Sequence, residues 1–293
     1  MAEELPNVNI TQGSQKKVNP LVGFYRQPKI YVKLPSKGEF YPEDALDKSE
    51  TGDYPVFAMT AKDELLLKTP DALLSGQSTV EVIKSCVPAI TNPWKMPTID
   101  VDAVLIAIRI ATYGETMDVF STCSQCKEEN KYGIELTKHL NVAQSVEYPT
   151  EIQVEELIVH LKPYNYKQLT ETNVKVMEQQ RLFNIVNDEK LSDAEKLEKF
   201  GKSFSNLTEM TVEAIVGCIE RIDAPTGSTN DKEYIREFIN NTSKEVFQSI
   251  SNVLNDMKEK TTIPEQKVKC EKCEHEYSMP VTLDQSNFFA DRS

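Results

Sequence analysis

Two pairs of cysteines carry the spacing in this chain that points to a specific chemistry. Cys123/Cys126 and Cys270/Cys273 are each C-x2-C, within the segments CSQCKEENKYGIEL and CEKCEHEYSMPVTL. Two thiolates on one tight turn can reach a single ion at about 2.3 Å, and a second such turn completes a tetrahedron. Four thiolates leave no open position for water or substrate, so the expected cofactor is one structural Zn2+ on Cys123, Cys126, Cys270 and Cys273. After each pair comes an aromatic, Tyr132 or Tyr277, and then an alternation, Ile134/Leu136 or Val281/Leu283. A short strand-like stretch precedes each pair. The expected product is a split zinc-ribbon-like knuckle whose strands pair as a small ribbon.

Rival chemistries fit less well. His275 gives C-x2-C-x-H, a poor spacing for the same ion, and is expected to face solvent. Neither pair opens a helix, where the dipole would lower a thiol pKa for redox work. Cys86 and Cys218 lie on apolar helical faces and are expected to be buried and inert. The two knuckles are separated by residues 127–269. Closing so long a loop costs entropy that grows only slowly with length, and zinc binding of about 10 kcal/mol or more in peptides offsets it.

The elements that must position the cysteines follow from periodicity. Lys29–Leu34 alternates like a strand, Pro35–Gly38 reads as a turn, and Tyr54–Met59 reads as a second strand. Thr60 with Asp63, Ser78 with Glu81, Ser192 with Glu195 and Thr242 with Glu245 read as helix starts. Pro70 begins another helix that Gly76 ends, and Asp100 caps a helix over Val101–Tyr113 that Gly114 terminates. That last helix is apolar on most sides and is expected at the centre of the core. Met117–Thr122 and Tyr132–Leu136 read as strands into and out of the first knuckle, and Ile152–Leu161 as one alternating strand. From about Tyr166 to Lys260 the pattern is helical, with Asp223–Asn230 as a loop.

The fold class expected is therefore α+β: a mixed N-terminal domain with short strands and a core helix, the split four-cysteine knuckle, and an inserted acidic helical bundle. The expected units are a flexible N-terminal arm over 1–22, an α/β domain over 23–162 that includes the first zinc knuckle (117–136), a helical bundle over 163–262, and the second knuckle with a C-terminal tail over 263–293.

Composition bounds the function. The chain has 293 residues and a formal net charge of -13, which argues against general binding of nucleic acid through phosphate neutralisation. No apolar run approaches the 18 or so residues of a membrane helix, and the polar start MAEELPNVNITQ is neither a signal nor a transit peptide, so residence in the cytosol of synthesis is expected. No Walker loop, GxGxxG, HExxH or GxSxG is present, and the three histidines, 139, 160 and 275, stand apart. The expectation is a non-enzymatic protein with no catalytic residues and no small-molecule substrate.

The N-terminal half resembles a known family. It runs LPSKGEFY (Leu34 to Tyr41), MTAKDELLLKTPDALLSG (Met59 to Gly76), SCVPAI (Ser85 to Ile90) and DVDAVLIAIRIATYG (Asp100 to Gly114), then the C-x2-C at 123/126. This order resembles the baseplate hub proteins of T4-type contractile-tailed bacteriophages, from about Tyr31 to Leu136. The resemblance implies a late protein made in the host bacterial cytoplasm. It implies a place in the virion tail baseplate, and binding to other baseplate and tail proteins without membrane insertion. An assembly chaperone that leaves before the virion matures is the near alternative. A zinc-ribbon regulatory factor on polymerase or nucleic acid is the distant one; around the second knuckle Lys267, Lys269 and Lys272 are offset by Glu265, Glu271, Glu274 and Glu276.

Texture also nominates contact surfaces. Phe24, Tyr25, Tyr31 and Leu34, on and before the first strand, could add to a partner's sheet edge. Trp94, the single tryptophan, stands in the proline-flanked loop PAITNPWKMP, either as an interface anchor or packed under its loop.

Overall fold

The computed structural model describes residues 19, 21–68, 75–186, 192–261 and 264–281. The expected arm up to residue 18, the helix start at Pro70 and the tail from residue 282, including Leu283, lie outside the described residues.

The chain opens with an antiparallel ribbon of β1 (Pro28–Lys33) and β2 (Asp53–Phe57). Alternation sends Val32, Tyr54 and Val56 inward, and the same period continues to Leu34, which is buried at 3% exposure. Leu34 is thus a core residue, and its expected place at a surface contact is corrected: it shares a strand face with Val32, not with Tyr31. Helix α1 (Ala61–Leu67) carries the expected capping box, Thr60 and Asp63 bonding each other's backbone N–H. Helix α2 (Gln77–Cys86) starts earlier than Ser78 implies, directly after Gly76 in the left-handed region (φ +75°). Ser78 is already inside the first turn, and its hydroxyl donates to the Leu66 carbonyl instead of capping.

Helix α3 (Thr98–Tyr113) is the centre of the first core, with Val104, Leu105, Ile106 and Ile108 all at 2% exposure or less. Each such side chain contributes about 1.5–3 kcal/mol of transfer free energy. Asp100 lies inside this helix and does not cap it. Its buried carboxylate instead accepts the Ser36 amide (2.8 Å), the Ser36 hydroxyl (2.6 Å) and the Tyr41 hydroxyl (2.9 Å), pinning the turn after β1 onto α3.

Strands β3 (Thr116–Thr122) and β4 (Glu129–Glu135) form a hairpin on this core, followed by α4 (Leu136–Gln144). A second core then begins. Residues 151–161 are not one strand but two, β5 (Glu151–Val154) and β6 (Leu157–Leu161), turning at Glu155 with φ +54°. Two long helices follow, α5 (Tyr166–Val186) and α6 (Asp193–Cys218). The expected loop at 223–230 is a hairpin of β7 (Ile219–Ala224) and β8 (Gly227–Thr229). These complete a four-stranded antiparallel sheet in the order β5-β6-β7-β8, so the expected boundary at 162/163 falls inside a sheet.

Helices α7 (Lys232–Asn241) and α8 (Lys244–Thr261) cover the sheet. The cap of α8 is Ser243, whose hydroxyl accepts the Val246 amide, and not Thr242. Val159, Leu161, Ile219, Ile235 and Ile250 fill the second core. The chain then returns as β9 (Gln266–Lys269) and β10 (Glu276–Met279), and Met279 and Val281 bury themselves in the first core. The described residues thus hold eight α-helices and four small sheets, a mixed α+β fold. Among them, no helix is long and apolar enough to cross a membrane.

Candidate metal centre

Each C-x2-C pair forms the turn of a hairpin. Strands β3 and β4 pair from Thr116↔Glu135 to Thr122↔Glu129, and β9 and β10 from Gln266↔Met279 to Lys269↔Glu276. The turns are closed by the same bonds in both halves. The Cys123 amide donates to the Glu128 carbonyl (2.8 Å) and the Lys127 amide to the Cys123 carbonyl (3.0 Å). Their counterparts are Cys270 to His275 (2.9 Å) and Glu274 to Cys270 (3.0 Å). The residue after the second cysteine is left-handed in both turns: Lys127 and Glu274 each have φ +60°. Two segments far apart in sequence therefore adopt one local conformation, which turns their sulfurs to the same side.

The four sulfurs meet. Cys123 Sγ lies 3.7 Å from Cys273 Sγ, Cys126 Sγ lies 3.6 Å from Cys270 Sγ, and all four are within 4.8 Å of one another. A disulfide needs about 2.05 Å. A tetrahedron of sulfurs around an ion at about 2.3 Å has edges of about 3.8 Å. The spacing therefore suits a shared ion and excludes a bond between the sulfurs as placed. Cys123 and Cys270 are buried, and Cys126 and Cys273 are half-buried. The four cysteines could hold one metal ion, and a closed set of four soft donors suits a thiophilic metal in a structural role.

The local electrostatics favour thiolates at the first cysteine of each pair. The Cys126 amide at Cys123 and the Cys273 amide at Cys270 are the largest causes, and Cys270 is lowered to about 6. Cys273 accepts the His275 amide, which lowers it, yet it is raised to about 12 by burial and then by hydrogen bonds to the other three sulfurs. Cys86 and Cys218 contrast with these: burial pushes their thiols up to about 12 and about 11.

A polar layer joins the two hairpins beyond the sulfurs. Asn130, 4% exposed, donates from Nδ2 to the Cys270 sulfur and accepts the Glu271 amide at Oδ1 (3.0 Å). The Tyr132 hydroxyl donates to the Lys269 carbonyl (3.0 Å), the Tyr277 hydroxyl to the Ser121 carbonyl (3.4 Å), and the two hydroxyls lie 3.3 Å apart. In the sequence Tyr132 and Tyr277 stand out only as an echo between the two segments, and Asn130 does not stand out. The one available signal was an uncharged polar residue on a strand otherwise alternating toward the core. His275 stacks on the Tyr277 ring and lies outside the four-sulfur group. Lys269 and Lys272 are paired with Glu274 and Glu128, so two of the three lysines of the second knuckle are neutralised.

A family model described as T4 bacteriophage base plate protein matches residues 27–290. The chain belongs to that family. Neither curated proteins nor solved structures give a match. The baseplate model spans both knuckles and everything between them, so the second core belongs to the family match along with the N-terminal half.

The other nominated residues are dispersed over this baseplate protein. Phe24, Tyr25 and Tyr31 are exposed at 86%, 56% and 62%, while Leu34 is in the core. Trp94 is half-buried and packs against Tyr166 with ring centroids 5.8 Å apart. His160 binds Asp223 across β6 and β7 at 2.7 Å.

Proposed function

We propose that the chain is a structural component of the hub region of the tail baseplate, acting by protein contacts and not by catalysis. One zinc ion on Cys123, Cys126, Cys270 and Cys273 ties together the two hairpins that pack on the first core, before and after the inserted second core. The observation that carries this reading is the convergence of four sulfurs at tetrahedral spacing within a chain of the baseplate family. Zinc is the metal best matched to a closed set of four thiolates. When bound, it supplies a fixed crosslink between β3–β4 and β9–β10. The residues around it are arranged for burial and bonding: two amides at each leading sulfur, Asn130 between the hairpins, and paired tyrosines behind. Partners are other tail proteins, and the place of action is the virion tail.

Two measurements test the reading. Elemental analysis of protein purified without chelator is expected to give about one zinc per chain. The Cys270→Ser/Cys273→Ser variant is expected to lose it together with several degrees of melting temperature. No zinc in freshly reduced protein would remove the metal part. Mass spectrometry of purified virions is expected to find the chain in the tail; its presence only in assembly intermediates would make it a chaperone instead.

A further inference from the structure

We infer that the open edge of β1 is a docking site for an extended acidic segment of another tail polypeptide, which adds to the β1–β2 ribbon as a third strand. The inference rests on the baseplate reading and names the kind of partner contact it involves.

The ladder fixes which backbone groups are free. The register from Ile30↔Val56 to Lys33↔Asp53 is regular, and in an antiparallel pair alternate residues turn their N–H and C=O away from the partner strand. At Lys33 the outward direction is visible: its amide donates to Gln144 Oε1 at 2.8 Å. Two residues earlier, the Tyr31 N–H and C=O point the same way and meet no acceptor or donor among the described residues. Tyr31 lies opposite Pro55, which has no N–H to offer, as a non-hydrogen-bonded pair requires.

The two edges of the ribbon are treated differently. On β2 the outward amide of Asp53 is taken by Thr51 Oγ1 (3.3 Å), and the next outward position is Pro55. That edge is closed to pairing, the usual protection of an edge strand. On β1 only the Lys33 end is occupied, and the occupant is a side-chain amide, the chemical mimic of a strand neighbour. The register slips between Pro28 and Ile30, which makes Lys29 the extra residue of a bulge, so Tyr31 is the open position of the regular ladder on this edge.

Side chains then select the partner. Lys29, Tyr31 and Lys33 share the outer face of β1, all exposed. Among the described residues the two ammonium groups have no carboxylate partner. In a chain of net charge -13, this is a local cationic stripe. It complements carboxylates at alternate positions of an incoming strand. Before β1, Tyr25 and Arg26 line an open cleft of about 450 Å³ with Phe57, Thr60, Ser85 and Pro88, which suits one apolar side chain of the same segment. Main-chain bonds supply affinity in such strand addition, and alternate side chains supply specificity.

Tyr31→Pro is the direct test, because it removes the outward N–H and leaves the inward ladder of Ile30 and Val32 whole. Proline is tolerated at an edge position of this kind. The full-length chain is supplied to a phage lacking its own copy. Wild type and Tyr31→Ala are expected to support tail assembly, while Tyr31→Pro and Lys29→Glu/Lys33→Glu lower the yield of infectious particles at least tenfold. Zinc content and melting temperature should hold. If proline itself lowers the melting temperature, the double glutamate variant on the exposed face carries the test. A benzophenone side chain at position 29 is expected to crosslink to an acidic stretch of a different tail protein. Equal yields for Tyr31→Pro, Lys29→Glu/Lys33→Glu and wild type, an equal loss in Tyr31→Ala and Tyr31→Pro, or a crosslink to a second copy of this chain would each overturn strand addition. Absence of the wild-type chain from tails and their intermediates would sink the baseplate reading itself.

Discussion

Asn130 of the first hairpin bonds Cys270 of the second, 140 residues on in sequence: its Nδ2 lies 3.5 Å from the sulfur while its Oδ1 accepts the amide of Glu271. A single amide side chain thus holds the first hairpin onto the turn of the second. Such partners of ligating residues typically account for 10–100-fold in metal affinity. Asn130→Ala is expected to weaken zinc binding by about tenfold, and Asn130→Asp by more, since it sets a carboxylate against the thiolates. Competition against a chromophoric chelator measures both; unchanged affinity in Asn130→Asp would mean that the contact is incidental.

The paired left-handed residues give a second expectation. Lys127 and Glu274 hold φ +60° without being glycine. Lys127→Gly and Glu274→Gly relieve the Cβ clash at some cost in unfolded-chain entropy, for a net gain of about 0.5–1 kcal/mol each. Because the two turns share one geometry, the gains should match within error in denaturant unfolding. A gain at one turn alone would show that the turns are not equivalent.

Asp102 makes stability depend on pH. Burial alone pushes its carboxyl up to about 6, and burial is also the largest cause pushing Asp100 to about 6. A carboxyl raised on folding favours the folded state fully below about pH 4 and loses that contribution as pH rises through about 6. Asp102→Asn should therefore stabilise by on the order of 1 kcal/mol at pH 7.5 and by little at pH 4. Urea midpoints of both proteins across that range decide it; a gain that is independent of pH would contradict the assignment.

Gly217 sets helix propensity against packing. It sits in the last turn of α6, where alanine would gain up to about 1 kcal/mol. A Cβ there would lie 3.0 Å from Cζ of Tyr164 and 2.9 Å from its hydroxyl oxygen. Overpacking of this kind costs about 1–3 kcal/mol, so Gly217→Ala is expected to destabilise. In a Tyr164→Ala background the same change should become neutral or stabilising, which calorimetry of the four proteins would show.

What sequence alone conveyed depended on range. The C-x2-C turns, the Thr60–Asp63 box and the buried α3 are local, and their residues signal them directly. The hairpin β7–β8 was hidden by a bulge. Ile219 and Ile222 both face the second core although three residues apart, because the register slips between His160 and Leu161 and leaves Glu220 extra. Three is a helical interval, and the stretch reads as helix. Asp100 looks like a cap because carboxylates usually cap; only its meeting with Ser36 and Tyr41, far away in sequence, shows otherwise. Asn130 fails the same way, since its partner stands 140 residues on.

The return of β9 and β10 to the first core sets an order of events during synthesis. Cys123 is made 150 residues before Cys273, which at about 5–20 residues per second is a wait of roughly 8–30 s. Throughout that interval the first knuckle holds only two of the four thiols, and the place that Met279 and Val281 take in the first core is unfilled. The four sulfurs meet only on a chain translated through its second knuckle, so a metal held by all four would mark a chain in which both knuckles had been made.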